Sequence, residues 1–403
     1  MQICFFDTEK THRFRPLTLT RPLDDLRVGI LTIREKWQAF LKPDNTTRLV
    51  PDYLTELFPK GEINKKESCF WINPHVIPDH NLIAATVSLN SGEGIFDDEE
   101  LLIAKIDGTA SYEMHSVDSF SPAISKKMFF GKPIRKLDYI WDMLTLNAVE
   151  IENDIQHFGY KSLAETGTNG SFIAHHPENV FVTETSIIEP GSILIASDGP
   201  VFIGEYAKIE AGSIIRGPVA ICENAETKMG CRISGGTTIG PVCKAGGEIS
   251  NTIFHSYSNK AHDGYTGNSI FGQWCNLAAG TITSNLNINY KAVQIKDWDS
   301  QTLYEEGVQF IGTIMGDHSK TSINTMLNTG TVCGVGSNVF SGGFSPKYIP
   351  SFTWLSTKKP LVHQFDKAVV AMRAMMERRN VEMSKEYERM MFFIYEGAKN
   401  GYK

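Results

Sequence analysis

The sequence predicts three parts: an α/β domain over residues 1–165, a parallel β-helix over residues 172–345, and a helical extension over residues 346–403. Two observations predict this order. Isoleucine recurs every six residues in the second half of the chain, which is the period of a β-solenoid and not of an α-helix. The first 165 residues lack that period and alternate short apolar runs with helix-like stretches, as α/β domains do.

The six-residue period holds in three runs. The first reads Ile203, Ile209, Ile215, Ile221, Thr227, Ile233, Ile239, Ala245; the second reads Phe271, Leu277, Thr283; the third reads Ile311, Asp317, Ile323, Thr329, Val335, Ser341. Each unit predicts one short strand and a tight turn, and three units close one triangular coil. The residues in the runs should point inward and stack on one another, with glycine and small polar residues at the corners.

Two stretches break the period, residues 251–268 and residues 284–310. Insertions in a solenoid become loops on one face, and that face is often the binding face. We therefore expect both stretches to be loops.

The N-terminal domain is predicted to have a mostly parallel sheet. Apolar runs at residues 3–6, 69–72 and 101–104 read as strands, and residues 27–41 and 138–158 read as helices. Residues 161–171 are rich in Gly, Ser and Thr and form the predicted linker to the β-helix.

The helical extension begins near residue 360. Its apolar residues are predicted to share one face, and they are Val362, Phe365, Val369, Met372 and Met376. A helix that covers the open end of the solenoid explains this pattern, because solenoid ends must be covered. The alternative is that its basic residues hold the phosphates of coenzyme A.

Composition excludes several function classes. The net charge of −7 does not favour a general nucleic-acid-binding protein. No apolar run reaches the roughly 18 residues that a membrane helix needs, and the N-terminal run is too short for a signal peptide. Seven scattered cysteines with no CxxC pair favour reduced thiols in a cytoplasmic protein.

Polar residues that suit acyl-transfer chemistry concentrate between residues 255 and 290. Acyl transfer to an amine needs a base for the amine proton, a donor for the oxyanion, and polar groups that orient the acceptor. His262 is the candidate catalytic base. The candidate substrate-binding residues are Lys260, Tyr265, Asn276 and Asn285.

The stretch from Ser258 to Asn285 resembles the acetyltransferase domain of the bifunctional GlmU family. The shared pattern is His, two residues, Tyr, one residue, Gly, a later Asn, and then Gly-Thr-Ile-Thr-x-Asn. The resemblance implies that His262 is the general base and that Ala279 lies beside coenzyme A. It also implies acetyl-CoA as cofactor and a left-handed β-helix. The chain differs at Leu286, where the family has Tyr, and at Asn268, where it has an acid.

The N-terminal end resembles sugar-1-phosphate nucleotidylyltransferases, especially glucose-1-phosphate thymidylyltransferases, through the segment RFRPLTLTRP at residues 13–22. This resemblance implies that Arg13, Arg15 and Arg21 bind the phosphates of UTP or dTTP, with Mg²⁺ if the domain is active. The preceding loop, residues 7–12, contains no glycine, although phosphate loops generally use it. Asp142 is one candidate magnesium ligand, and no partner is fixed.

Over nearly its full length the chain resembles divergent GlmU-type proteins of Bacteroidetes and related bacteria. The segments that carry this resemblance are RPLTLTRPLDDLRVGILTIREKW near the start and NTGTVCGVGSNVFSGGFSPKYIPSFTW near the end. It implies a multifunctional cytoplasmic enzyme of nucleotide-sugar biosynthesis and a homotrimer, with sugar phosphate, nucleotide and acetyl-CoA as ligands and no nucleic-acid or membrane partner.

Two other interpretations remain open. One is a non-catalytic nucleotide-sugar sensor or scaffold whose two sites have decayed. The other is a zinc enzyme like the γ-class carbonic anhydrases, which use three histidines across a subunit boundary; His255, His262 and His318 are available.

Overall fold

The structure is a computed structural model and describes residues 1–114, 123–167, 171–304, 307–356 and 360–400. It divides into two compact units. The first comprises residues 1–14, 20–26 and 31–142, and the second comprises residues 15–19, 27–30 and 143–403. The predicted domain limits at 165, 172 and 345 remain predictions about folding units. No helix in the described parts of the chain has the length and apolarity needed to cross a membrane.

The first unit is an α/β domain built on a six-stranded sheet, which confirms the predicted class. Its strands are β1 Gln2–Phe6, β2 Asn45–Leu49, β3 Cys69–Ile72, β4 Glu93–Asp97, β5 Glu100–Ile106 and β6 Lys126–Phe129, in the spatial order β2-β1-β3-β5-β4-β6. Its helices are α1 Ile33–Leu41, α2 His80–Ser88 and α3 Gly108–Glu113. Strand β5 alone runs antiparallel to its neighbours β3 and β4, and the other pairs are parallel, so the sheet is mostly parallel as predicted.

The second unit contains two helices before the solenoid, α4 Asp142–Phe158 (apart from its first residue) and α5 Leu163–Thr166. A parallel β-solenoid follows, which confirms the predicted class; it runs from residue 173 to residue 355, ten residues beyond the predicted end at 345. Its handedness remains a prediction. Two helices end the chain, α6 Phe365–Glu377 and α7 Lys385–Asn400.

The solenoid strands lie on three faces. On the first are β7 Ile173–His175, β10 Ile193–Ile195, β13 Ile214–Arg216, β16 Arg232–Ser234, β19 Glu248–Ser250 and β22 Tyr265–Gly267, with β24 Ile282–Thr283 and β27 Met326–Leu327 pairing separately. On the second are β8 Val180–Val182, β11 Val201–Ile203, β14 Val219–Ile221, β17 Thr237–Ile239, β20 Ile253–Ser256, β23 Ile270–Gln273, β25 Thr313–Met315, β28 Thr331–Cys333 and β30 Tyr348–Ile349. On the third are β9 Ile187–Ile188, β12 Lys208–Ile209, β15 Glu226–Thr227, β18 Lys244–Ala245, β21 Asn259–Lys260, β26 Lys320–Thr321, β29 Asn338–Val339 and β31 Thr353–Leu355. Strand β32 Pro360–Val362 follows the solenoid and pairs antiparallel with β31.

Side chains from successive coils stack along the solenoid interior. On the second face the stack runs Ile203, Ile221, Ile239, Phe254, Phe271, Met315, Cys333 and Ile349. All of these residues are buried, and burying a large apolar side chain contributes roughly 1.5–3 kcal/mol. The first and second predicted runs are confirmed by this stacking.

In the third predicted run, the positions expected to point inward are shifted from the observed inward positions. The inward residues there are Met315, Thr321, Leu327, Cys333 and Val339. They precede the predicted positions by two residues, and Ile323, predicted to be inward, is 69% exposed. Asp317 lies at a buried corner, where its Oδ1 accepts a hydrogen bond from the Gln273 N–H at 2.8 Å.

The two predicted interruptions differ in outcome. Residues 284–310 do leave the solenoid, and antiparallel bridges such as Val293 to Val308 fold them into a long hairpin. Residues 251–268 do not interrupt it, because β20, β21 and β22 make a complete coil. The period is lost there because the turns beside that coil are shortened.

The C-terminal extension is two helices preceded by a strand, not one helical stretch. Val369, Met372 and Met376 of α6 are buried as predicted, whereas Val362 lies exposed on strand β32. The Phe365 ring packs on that of Phe352 in the last coils, so the helices cover this part of the solenoid.

Candidate functional site

His262 lies on an exposed turn of the solenoid. The turn spans residues 261–264, between β21 and β22, and the His262 side chain faces solvent. The turn of residues 278–281 stacks directly on it, with the Gly280 N–H donating to the Asp263 carbonyl at 2.9 Å. Ala279 lies in that second turn, so the structure brings the candidate base and the candidate coenzyme A contact into neighbouring turns.

A cavity opens beside this turn because the preceding corner is short. Residues 246–247 form a two-residue corner, whereas the next turn, residues 261–264, has four residues. The missing residues leave a recess of about 300 Å³. Its lining residues are Arg232, Gly247, Glu248, Asp263, Gly264 and Tyr265. Gly247 has φ +78°, and a Cβ there would lie 2.8 Å from the Gly264 carbonyl oxygen, so this corner requires glycine.

Tyr265, Asn268 and Asn285 form a hydrogen-bonded cluster at the edge of the cavity. Asn285 Nδ2 donates to Tyr265 Oη at 3.0 Å and to Asn268 Oδ1 at 2.7 Å. Tyr265 Oη lies over Gly267, where an added Cβ would come within 2.2 Å of it. Because Tyr265 Oη accepts from Asn285, its own O–H proton is left to donate to a bound group. Burial raises the pKa of Tyr265, so this hydroxyl stays protonated at neutral pH.

Asn276 lies one strand from this cluster rather than within it. Its Oδ1 accepts from Asn259 Nδ2 at 2.8 Å on the third face of the solenoid. It precedes the turn that carries Ala279. Asn276 is therefore placed near the candidate coenzyme A contact and away from Tyr265 and Asn285.

Lys260 points into the solenoid and not toward the surface. Its side chain is fully buried, and Nζ donates to the carbonyl oxygens of His262 at 2.8 Å and Gly246 at 3.2 Å. This geometry does not support the direct contact between Lys260 and the substrate that the polar residues of this segment led us to expect. The expectation failed because lysines are rarely buried, and only the strand register shows that this one faces inward.

Burial of Lys260 predicts a pH-dependent stability. Burial lowers the pKa of Lys260 to about 8 from 10.5, although Asp263 acts to raise it. Between these pH values the unfolded chain keeps a proton that the folded chain has released, so the free energy of unfolding rises with pH. Between pH 8 and 10.5 the free energy of unfolding of the wild type should therefore rise by roughly 3 kcal/mol more than that of Lys260→Met. Urea denaturation of both proteins across this range checks it, and a difference that stays constant with pH contradicts it.

The first unit has a cavity of about 440 Å³ where strand β1 ends. Apolar walls come from Phe6, Phe96, Leu101 and Ile124, and polar groups come from Thr8, Glu9, Lys10, Asn73, Glu99, Glu100 and Lys127. Ligands of open α/β sheets bind outside the carboxyl ends of parallel strands, and β1 and β3 are parallel neighbours that end here. Sequence reasoning missed this cavity, although Asn73 directly follows a predicted strand and Lys10 comes four residues after another.

Charges beside this cavity are already paired. Lys10 Nζ contacts Glu100 at 2.7 Å and Asp138 at 2.9 Å, and Lys136 Nζ contacts Asp97 at 2.7 Å. Burial raises the pKa of Glu100, but hydrogen bonds from Lys10 and Lys136 outweigh burial and lower that pKa below its usual value. The carboxylate therefore stays ionised and holds both lysines.

The three predicted phosphate-binding arginines do not share one unit. Arg13 is half-buried in the first unit, with its guanidinium 5.0 Å from the centre of the Tyr139 ring. Arg21 is buried there and donates to Asp25 at 3.4 Å. Arg15 belongs to the second unit and pairs with Asp299 of the long hairpin at 2.5 Å.

The predicted magnesium ligand has a structural role. Asp142 Oδ2 accepts the backbone N–H groups of Asp138 and Tyr139, both at 2.8 Å, at the start of α4. Across the described ranges, no three His, Cys, Asp or Glu residues are grouped so that they could hold a metal ion.

The three histidines of the zinc interpretation are also separately engaged. His255 Nδ1 lies 3.1 Å from Ser256 Oγ, and His318 Nε2 lies 3.1 Å from Tyr387 Oη. His262 is exposed on its turn. Within the part of one chain that the structure describes, they do not form a metal site.

Comparison with protein families identifies the first part of the chain. Residues 3–161 match a family described as sugar nucleotidyl transferase. The chain therefore carries a sugar nucleotidyltransferase domain there.

Curated relatives include two proteins named bifunctional protein GlmU. The one from Synechococcus elongatus is 25% identical over 198 residues, which are 47% of this chain and 38% of the relative. The one from Methanocaldococcus jannaschii is 35% identical over 95 residues, which are 24% of this chain and 22% of the relative. The matches thus span well under two thirds of each relative. They show a distant similarity to GlmU and do not support the lineage that the resemblance implied.

Solved structures with similar chains include acyltransferases. AntD, an N-acyltransferase from Bacillus cereus solved with dTDP and 3-hydroxybutyryl-CoA, is 12% identical with a TM-score of 0.21, covering 57% of this chain and 96% of its own. The UDP-N-acetylglucosamine acyltransferase from Campylobacter jejuni is 14% identical with a TM-score of 0.21, covering 53% and 95%.

Proposed function

We propose that this chain, which joins a sugar nucleotidyltransferase domain to an acyltransferase-like β-solenoid, transfers an acetyl group from acetyl-CoA to an amino-sugar 1-phosphate. The observation that carries the proposal is the placement of His262. It is exposed on a turn beside a cavity, with the turn of Ala279 stacked on one side and the Tyr265–Asn268–Asn285 cluster following on the next strand.

Acetyl-CoA, when bound, supplies the acetyl thioester. The segment Ala278-Ala279-Gly280 carries no side-chain atom beyond Cβ, so an extended ligand can pass beside the His262 turn. A base here needs access to solvent, and the exposed His262 side chain has it.

In the proposed reaction the acceptor amine attacks the thioester carbonyl, a C–N bond forms and the C–S bond breaks. His262 takes the proton that the amine loses and returns it to the leaving thiolate, so the products are the N-acetyl sugar and free coenzyme A. The Tyr265 hydroxyl, which accepts a hydrogen bond from Asn285, donates one to the acceptor and orients it. Leu286 replaces a family tyrosine, so Tyr265 is the phenol that this cluster offers.

The test of this proposal uses three acceptors with acetyl-CoA. With glucosamine 1-phosphate as acceptor, acetyl-CoA should release free thiol. With glucose 1-phosphate it should not, because that sugar lacks the amine. Unphosphorylated glucosamine shows whether the phosphate is recognised. Thiol release that is equal without any acceptor would reject acetyl transfer to a sugar.

For the first unit we propose binding of a nucleotide or sugar phosphate in the cavity at the end of β1. UTP or dTTP with a sugar 1-phosphate would release pyrophosphate if the unit also transfers the nucleotide. Because Asp142, the candidate magnesium ligand, accepts two backbone N–H groups at the start of α4, binding without transfer is the second candidate, and it corresponds to a sensor. Pyrophosphate release separates the two.

Arg13 tests whether the first unit binds nucleotide. Arg13→Ala should weaken binding of UTP or dTTP by roughly 10-fold to 150-fold, because a guanidinium hydrogen bond to a charged group contributes about 1.5–3 kcal/mol. Lys66→Ala is the control, since Lys66 is exposed in the same unit. Isothermal titration calorimetry makes the comparison. Equal affinity for the wild type and Arg13→Ala removes Arg13 from the phosphate site.

We also propose that the chain assembles as a homotrimer. Ile173, Ile193 and Ile214 lie in register on successive coils of the first face, and Ile173 and Ile214 are 53% and 38% exposed. Such an outward apolar row supports contact with another copy. Light scattering with size-exclusion chromatography tests this proposal.

A further inference from the structure

The corners on one edge of the solenoid share an inward polar residue at their fourth position. In five of the four-residue turns this position is filled by Ser192, Ser213, Cys231, Thr281 and Thr325, all of which are buried, whereas the last such turn, residues 340–343, has Gly343 there. The serine and threonine hydroxyl groups donate to carbonyl oxygens of the turns. Ser213 Oγ donates to the Glu210 carbonyl at 2.6 Å and to the Lys228 carbonyl of the next turn at 3.4 Å, and Thr325 Oγ1 donates to the Ser322 carbonyl at 2.8 Å.

Two consecutive corners lack this residue. The corner of residues 246–247 has no fourth position, and the His262 turn has Gly264 there, which has no side chain. Buried carbonyl groups without a donor cost about 1–3 kcal/mol each. The Lys260 ammonium, which enters from strand β21, donates to one carbonyl of each corner, Gly246 O and His262 O.

We propose that Lys260 is a positioning residue, whose buried amine replaces the missing corner hydroxyls and holds the turn that presents His262. The inference rests on the proposed acetyl transfer, and it gives Lys260 a role that acts through His262 rather than on the substrate. The short corner opens the cavity beside His262, and Lys260 supports the backbone that the short corner leaves without a hydroxyl donor.

The test compares Lys260→Met with Ser213→Ala in the full chain. Methionine keeps the length and apolar stem and removes both hydrogen bonds. Ser213→Ala removes the same kind of corner bonds from a turn several coils away. A turn that moves by an ångström loses turnover more than binding, so kcat for acetyl transfer should fall about tenfold to a hundredfold in Lys260→Met. Its KM values should stay within about twofold, and Ser213→Ala should keep wild-type kcat within about twofold. Wild-type kcat in Lys260→Met, or an equal loss in both variants, overturns the proposal.

A second measurement does not depend on turnover. Amide hydrogen exchange at residues 261–264 should be about tenfold faster in Lys260→Met than in the wild type and unchanged in Ser213→Ala. If the wild type transfers no acetyl group, the proposed function fails, and exchange still decides whether Lys260 holds the turn. If Lys260→Met does not fold, Lys260→Gln replaces it, because its shorter amide does not reach both carbonyls. Wild-type exchange in that variant contradicts the proposal.

Discussion

Replacing His262 with alanine should reduce kcat/KM for acetyl transfer by about 10²–10⁴-fold, because a positioned general base contributes that much. The side chain is exposed on a four-residue turn, so the fold and the oligomer should stay unchanged. Free-thiol release from acetyl-CoA with glucosamine 1-phosphate measures the effect.

His176→Ala is the matched control for this experiment. His176 is another exposed solenoid histidine, with 56% of its side chain accessible, and it pairs with Glu178. It should keep full activity. Turnover by His262→Ala that equals the control would remove His262 from the role of base, even if the wild type is active.

Leu327→Ala should lower the free energy of unfolding by about 2–5 kcal/mol, because it empties part of a fully buried stack. Strand β27 pairs with β24 so that Leu327 lies beside Thr283, inside the solenoid. Ile323→Ala removes a comparable aliphatic side chain four residues earlier, yet it should change stability by less than about 0.5 kcal/mol, since Ile323 is 69% exposed.

Urea denaturation of both variants shows which of the two residues points into the solenoid. The structure places Leu327 inside, whereas the uncorrected six-residue period places Ile323 inside. A larger loss in Ile323→Ala than in Leu327→Ala would contradict the observed frame and the strand pairing on which it rests.

The fold was predictable wherever the period ran without a break. From Ile203 to Ala245 every predicted inward residue is inward, because each coil there has the regular length of eighteen residues. After the hairpin of residues 284–310, the period alone does not say at which position the chain re-enters the solenoid. The frame of Ile323 failed for that reason.

The candidate site was only partly predictable. The sequence pattern singled out His262, Tyr265 and Asn285. The fold places His262 on a turn and Tyr265 on the strand that follows it, and Asn285 is hydrogen-bonded to Tyr265. The direction of the Lys260 side chain depends on strand register, and the cavity beside it depends on a shortened corner; neither is visible in residue spacing. In the first unit, Lys10 and Glu100 meet only because β1 and β5 belong to one sheet.

Turnover by the wild-type protein is the direct test of the proposed acetyl transfer. Purified full-length chain is given acetyl-CoA and glucosamine 1-phosphate, and free thiol is followed together with the mass of the sugar product. We expect thiol release that requires the amino sugar, with one acetyl group added to the sugar for each thiol released. No thiol release above the acceptor-free rate, with a folded protein, would contradict acetyl transfer and favour the sensor.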